Sequence, residues 1–155
     1  MKADLDSCRE INYINNSKQL LFFSDLYENE KDDPILHNPR YFLRNSVNEI
    51  NKLGLFPKFQ CEINFNIFYE NYKKNEKKID NLKPLTEHAN LHNCLYKNNF
   101  ESFFKKIKNS LKVSGIGYEG IKGDESHGQY RLMISATDPI EFCDNIVLLK
   151  LVNSF

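Results

Sequence analysis

From Pro57 to Tyr69 the sequence alternates, with Phe59, Cys61, Ile63, Phe65 and Ile67 on one side of an extended chain and Lys58, Gln60, Glu62, Asn64 and Asn66 on the other. Successive side chains of a strand point to opposite faces, whereas a helix would scatter these residues around its axis. The segment therefore specifies a strand with one face in a core and one presenting polar groups. Any element packed on it must supply apolar cover on that one side.

Helical spacing supplies such cover in three places. Asn38-Pro39 offers an N-cap followed by proline at the first helical position, and Phe42, Leu43, Val47, Ile50 and Leu53 follow before Gly54, where a C-cap belongs. Phe100, Phe103, Phe104, Ile107 and Leu111 mark a second amphipathic helix. Asp138-Pro139-Ile140-Glu141 reads as a capping box, opening a last helix that carries Ile140, Cys143, Ile146, Val147 and Leu151 and runs almost to Phe155. Gln19 to Tyr27 has the length and apolar content of a buried strand, and Gly115–Ile121 and Gln129–Ala136 read as two strands around the turn at 122–128. Strands and helices mix without strict alternation, which makes the class α+β.

Charge and composition remove several function classes. The 155 residues carry 21 Lys+Arg against 21 Asp+Glu, so nucleic-acid binding lacks its electrostatic footprint. Runs such as Leu20-Leu21-Phe22-Phe23 fall far below the roughly 20 residues that span a bilayer. The acidic start lacks the apolar segment of a signal peptide, and a cytoplasmic setting is expected. Cys8, Cys61, Cys94 and Cys143 contain no Cys-x-x-Cys pair and are expected as reduced thiols. Asn15-Asn16-Ser17 fits a glycosylation acceptor that a cytoplasmic chain does not use, and Asn71–Lys83 reads as a Lys-rich loop.

Three stretches carry candidate chemistry. Glu62 and Asn64, two apart, project from the same face of the alternating strand, where a carboxylate can hold a hard metal ion or simply meet solvent. GIGYEGIKGDESHG, from Gly115 to Gly128, brings Glu119, Asp124 and Glu125 into a glycine-rich hairpin, and it matches no phosphate-loop pattern. On a helix His88 and His92 would share a face suited to zinc, but no third and fourth ligand stand at finger-like spacing.

The order of these pieces resembles the glutamine synthetase family, closest to its γ-glutamyl-amine ligase-like subgroup. Ala3-Asp4-Leu5-Asp6-Ser7-Cys8-Arg9-Glu10-Ile11 is similar to ADLDTLRxIPW, and Asn38-Pro39-Arg40-Tyr41-Phe42-Leu43-Arg44 to DPRxVLRR. Leu53-Gly54-Leu55 matches LGL, Glu62-Ile63-Asn64-Phe65-Asn66-Ile67-Phe68 resembles ELEFFLF, and Leu148-Leu149-Lys150 resembles VLFK. Gly115 to Arg131 is similar to GIPVEGSKGEWGPGQHE. The resemblance implies a mostly antiparallel sheet with amphipathic helices on one face. It also implies one partial, truncated catalytic domain over residues 1–155, in which the family's small N-terminal domain, which would precede Met1, and its second half, which would follow Phe155, are expected to be absent.

Enzymes of the family are implied to join the γ-carboxylate of glutamate to ammonia or an amine through an ATP-derived acyl phosphate. Mg²⁺ or Mn²⁺ ions held by glutamates neutralise the phosphoryl charge. Carried over residue by residue, Glu62 keeps the first glutamate of ExE and Asn64 replaces the second. Asp124 stands for the glutamate of KGE, Arg131 reverses the sign of the glutamate closing GQHE, and Glu119 takes the nucleotide-contacting glutamate. A salt bridge from Arg131 to Glu62 or Asp124 is the expected replacement, turning a metal site into a structural ion pair. The resemblance thus implies a chain with remnant ligands, weak or no binding of ATP and metal, and no ligase activity alone. The alternatives are a partner of a full-length synthetase oligomer, a self-associating chain, or one part of a split ligase.

Overall fold

The computed structural model describes residues 1–11, 18–28, 33–69, 82–86 and 101–152. Its elements are β1 (Lys2–Ile11), β2 (Gln19–Asp25), α1 (Pro39–Lys52), β3 (Phe59–Asn66), α2 (Glu101–Val113), β4 (Tyr118–Gly123), β5 (Gln129–Thr137) and α3 (Pro139–Val152). Antiparallel pairings and three helices give the α+β class expected. The chain divides into two compact units, the first Met1–Gln60, Ser102–Gly117 and Ala136–Phe155, the second Cys61–Glu101 and Tyr118–Ser135.

In the first unit β1 and β2 form an antiparallel ribbon whose register shifts between Asp4 and Arg9. Buried Ser7 repairs the interrupted ladder: its hydroxyl accepts from the Phe23 N–H at 2.8 Å and donates to the Asp4 carbonyl at 2.6 Å. The apolar content of the second strand predicts burial. Leu20 and Phe22 are instead exposed, because a two-stranded ribbon has two faces and only one is covered.

The α1 caps form as the sequence specifies. Asn38 Oδ1 accepts from the Arg40 N–H at 3.2 Å, and Pro39 begins the helix. Gly54 takes φ +78° just past the end, its N–H donating to Asn51 O at 2.9 Å and the next N–H, of Leu55, to Ile50 O at 3.4 Å. Those two bonds close the helix C-terminus in the left-handed glycine arrangement. Of the expected apolar stripe Val47 is buried, whereas Phe42 and Leu53 stay exposed. In α2 the stripe turns Ile107 and Leu111 inward, while Phe100 lies outside the described residues.

In α3, Asp138 Oδ1 caps by accepting from the Ile140 N–H at 3.0 Å, and the Glu141 carboxylate lies 3.6 Å from Arg9. Its buried face differs from the one expected. Asp144, Asn145, Leu148 and Leu149 are inside and Val147 is 53% exposed. The helix is apolar on most sides, so a stripe taken from spacing discriminates poorly between its faces, and the Asp144 ion pair described below fixes which one turns inward. Ile11, Val47, Ile107, Leu111, Ile116, Leu148 and Leu149 form the core of this unit.

The second unit is built on a three-stranded sheet in the order β3-β5-β4, with β4 and β5 antiparallel. The β3 alternation holds from Cys61 on: Cys61, Ile63 and Phe65 are half-buried while Glu62, Asn64 and Asn66 are exposed, whereas Phe59, expected on the covered face, is exposed at the start of the strand. Leu82, Leu85, Tyr130, Leu132 and Ile134 are the buried apolar residues here, with the Phe65 and Tyr130 rings stacked at 6.1 Å between centroids. Among the described residues no helix is long and apolar enough to cross a membrane.

Candidate functional site

Alternation along β5 buries Tyr130, Leu132 and Ile134 and leaves Arg131 on the other face, opposite Lys122 of β4. Glu62 is on the exposed face of β3, the strand beside β5. Asp124 follows the last residue of β4 and is buried, its N–H donating to Gln129 O at 3.0 Å and its Oδ1 accepting from the Glu125 N–H at 3.0 Å.

Arg131 joins the two acids. Its Nε and Nη2 donate to the Asp124 carboxylate at 3.1 and 2.9 Å, and Nη2 also reaches Oδ1 at 3.0 Å. Nη1 donates to Glu62 Oε2 at 2.7 Å. The sequence expected a bridge to one acid or the other, and the guanidinium spans both. Its hydrogen bonds, with burial opposing them, hold the Asp124 carboxyl below the usual carboxylate range, and Asp124 in turn raises the Arg131 pKa.

The turn carrying Asp124 is anchored from below. Gly128, at φ +66°, donates its N–H to Thr86 Oγ1 at 2.8 Å and accepts from the Ile67 N–H at 2.9 Å. The Ile67 carbonyl accepts from the Leu85 N–H at 2.9 Å, which ties the segment 82–86 to the same turn. Backbone bonds on both sides of Gly128 therefore set where Asp124 meets Arg131.

The remaining candidates have separate fates. Asn64 lies two residues from Glu62 on the same exposed face of β3. Glu119 is exposed at the register shift between Tyr118 and Gly120, a bulge of the kind that re-aims a side chain. His88, His92 and Cys94 lie outside the described residues. Among the described residues no group of three or more His, Cys, Asp or Glu side chains is placed to hold a metal ion.

A second charged cluster, in the first unit, escaped the sequence reading. Arg40 donates through Nε and Nη2 to Asp144 at 3.0 and 2.9 Å, through Nη1 to Asp25 at 3.2 Å, and through Nη2 to Asp4 at 2.6 Å. Arg44 adds bridges to Asp4 at 2.9 Å and Asp25 at 3.2 Å. Arg40 lowers the Asp4 pKa, and Asp144 raises that of Arg40. Beside it is a cavity of about 360 Å³ that Ser7 and Arg9 also line. The available signal was that the two stretches resembling ADLD and DPRxVLRR carry opposite charges.

Comparison with known proteins agrees with this architecture. The chain is 26% identical to a type-1 glutamine synthetase of Dictyostelium discoideum over 82% of its length and 26% of the relative's. It is 22% identical to a γ-glutamylethanolamide synthetase of Streptomyces coelicolor over 97% of its length and 32% of the relative's. It thus spans between a quarter and a third of these curated relatives. The fold matches the crystal structure of a novel glutamine synthase homolog with a TM-score of 0.69 at 16% identity, covering 97% of this chain and 33% of that one. It matches the Plasmodium falciparum glutamine synthetase with a TM-score of 0.70 at 16% identity, covering 99% and 36%. The sequence model of the glutamine synthetase catalytic domain matches residues 36–154, and the chain belongs to that family.

Proposed function

We propose that this chain keeps the glutamine synthetase catalytic-domain fold but does not by itself join glutamate to ammonia or an amine. The observation carrying the reading is the Arg131 guanidinium seated between Glu62 and Asp124. In the family, ATP and divalent metal ions supply the phosphoryl transfer, and carboxylates must converge on those ions. Here Glu62 and Asp124 converge on a fixed cation, Asn64 brings no charge, and Arg131 adds a positive one, taking an implied four carboxylates to two. The donor set does not fit a divalent ion, and no catalytic step is assigned through one. Glu119 is the residue proposed to retain a contact toward ATP, by its position in the family pattern. A cytoplasmic setting is part of the same reading.

The test is a ligase assay on the purified chain with ATP, Mn²⁺ or Mg²⁺, glutamate, and ammonia or methylamine. Phosphate release no faster than in the control without glutamate is expected, and glutamate-dependent turnover would overturn the reading.

One observation favours a second reading, in which the chain associates with a full-length synthetase subunit or with itself. Leu36, Phe42, Leu53, Leu55 and Phe56 of the first unit are each at least 60% exposed. Large apolar side chains grouped in sequence and left in water are a feature of association surfaces. Under this reading light scattering gives a mass above that of one chain, or the chain co-elutes with a synthetase. A monomer that co-elutes with nothing argues against it.

A further inference from the structure

We propose that Arg131 is a tethered cation, one that holds Glu62 and Asp124 together in place of a free ion and keeps divalent ions out of the sheet of the second unit. The proposal deepens the reading of the chain as one that has left ligase chemistry, and rests on it. Three features of the triad carry it.

Two carboxylates held near one another repel unless a cation lies between them. Arg131 meets them with different edges of its fork, Nε and Nη2 on Asp124 and Nη1 on Glu62. A planar guanidinium suits that geometry, and a lysine ammonium does not. Both oxygens of Asp124 are also engaged. Asp124 Oδ1 accepts from Arg131 Nη2 and the Glu125 N–H, and Oδ2 accepts from Nε and Nη2. A metal ion would have to displace bonds at 2.7–3.1 Å while facing a fixed positive charge, with Lys122 adding a second positive charge felt by Asp124. The Asp124 side chain is 5% exposed, so its side of the exchange would have to be made largely out of water.

The experiment is a set of thermal melts on the full chain and on Arg131→Gln and Arg131→Lys, each in EDTA and in Mn²⁺, with Mn²⁺ binding read by paramagnetic resonance. The wild-type Tm is expected to be the same in both. Arg131→Gln removes the charge and is expected to melt about 5 °C lower in EDTA. Mn²⁺ at about ten times its Kd should then restore roughly 3 °C, because the two acids again have a cation. Arg131→Lys keeps the charge and should stay unresponsive to Mn²⁺.

A wild-type Tm that rises with Mn²⁺ as much as that of Arg131→Gln overturns the proposal. So does an Arg131→Gln variant that Mn²⁺ leaves unchanged. Should Arg131→Gln fail to fold, resonance on the wild-type chain still decides: stoichiometric Mn²⁺ uptake overturns the proposal, and silence at the same concentrations supports it. Ligase turnover by the wild-type chain would sink the inactive reading, whereas a Mn²⁺-silent Arg131→Gln would sink only the tethered cation.

Discussion

Replacing Arg40 with Met is expected to lower the Tm by roughly 10 °C at neutral pH. Arg40 is 12% exposed and bonds three aspartates, Asp4, Asp25 and Asp144, which are themselves 18% exposed or less. Methionine fills a similar volume but leaves those acids with Arg44, which reaches Asp4 and Asp25. Removing one partner of a buried ion network costs about 3–5 kcal/mol, chiefly because the remaining charges stay out of water. At about 2–4 °C per kcal/mol for a chain of this size, the loss is near 10 °C. Arg40→Lys keeps the charge but not the fork on Asp144, and should fall between the two.

The pH dependence separates this electrostatic effect from simple packing over the Phe23 ring, which Arg40 overlies at 5.8 Å. Arg40 depresses the folded-state pKa of Asp4. The stability from that pair is therefore fully present above the unfolded value, about 3.9, and is lost as pH falls through the lower folded value. In Arg40→Met the Arg40 share of the force holding Asp4 ionised is gone, so that pH-dependent part of the stability is missing. The gap between the two proteins should be widest near neutrality and narrow below about pH 4. Melts from roughly pH 3 to 7 check it; a gap that stays constant across that range assigns the loss to packing.

The two clusters differ in how far the sequence disclosed them. Glu62, Asp124 and Arg131 were legible because each falls on a position where the family pattern has an acid, so one reversed sign among kept acids suggested an ion pair. The Arg40 cluster was not, since Asp25 closes a strand and Asp144 lies 104 residues away on a helix read as apolar. Local pattern records what a residue's neighbours in sequence need, and this pairing is made by packing between α1, α3 and β1. The same limit explains α3, where periodicity turned Val147 inward and the structure turned in Asp144 and Asn145. Caps were read accurately at Asn38, Gly54 and Asp138 because their partners lie within a few residues.

Glycines at two turns form a matched pair: Gly128→Ala should cost about two to three times the stability that Gly54→Ala does. Both sit at positive φ, +66° and +78°, so each alanine bears the left-handed strain of about 1–2 kcal/mol. At Gly54 an added Cβ meets nothing within 4 Å. At Gly128 it would lie 2.7 Å from the Ile67 carbonyl oxygen, 3.0 Å from Pro84 Cβ and 3.2 Å from the Leu85 nitrogen. Two of those atoms are backbone, and one hydrogen bond, from Leu85 N–H to Ile67 O, joins them. They cannot retreat without opening that bond or the one from Ile67 N–H to Gly128 O, and overpacking of this kind adds about 1–3 kcal/mol. Gly128→Ala should thus melt about 10 °C lower than wild type and Gly54→Ala about 4 °C lower. The damage should also reach the ion triad, because the displaced turn carries Asp124. Gly128→Ala and Arg131→Gln would then be less than additive in a double-mutant cycle, by about 0.5 kcal/mol or more. Equal losses at the two glycines would mean that the backbone around Gly128 yields, and that the turn does not fix where Asp124 meets Arg131.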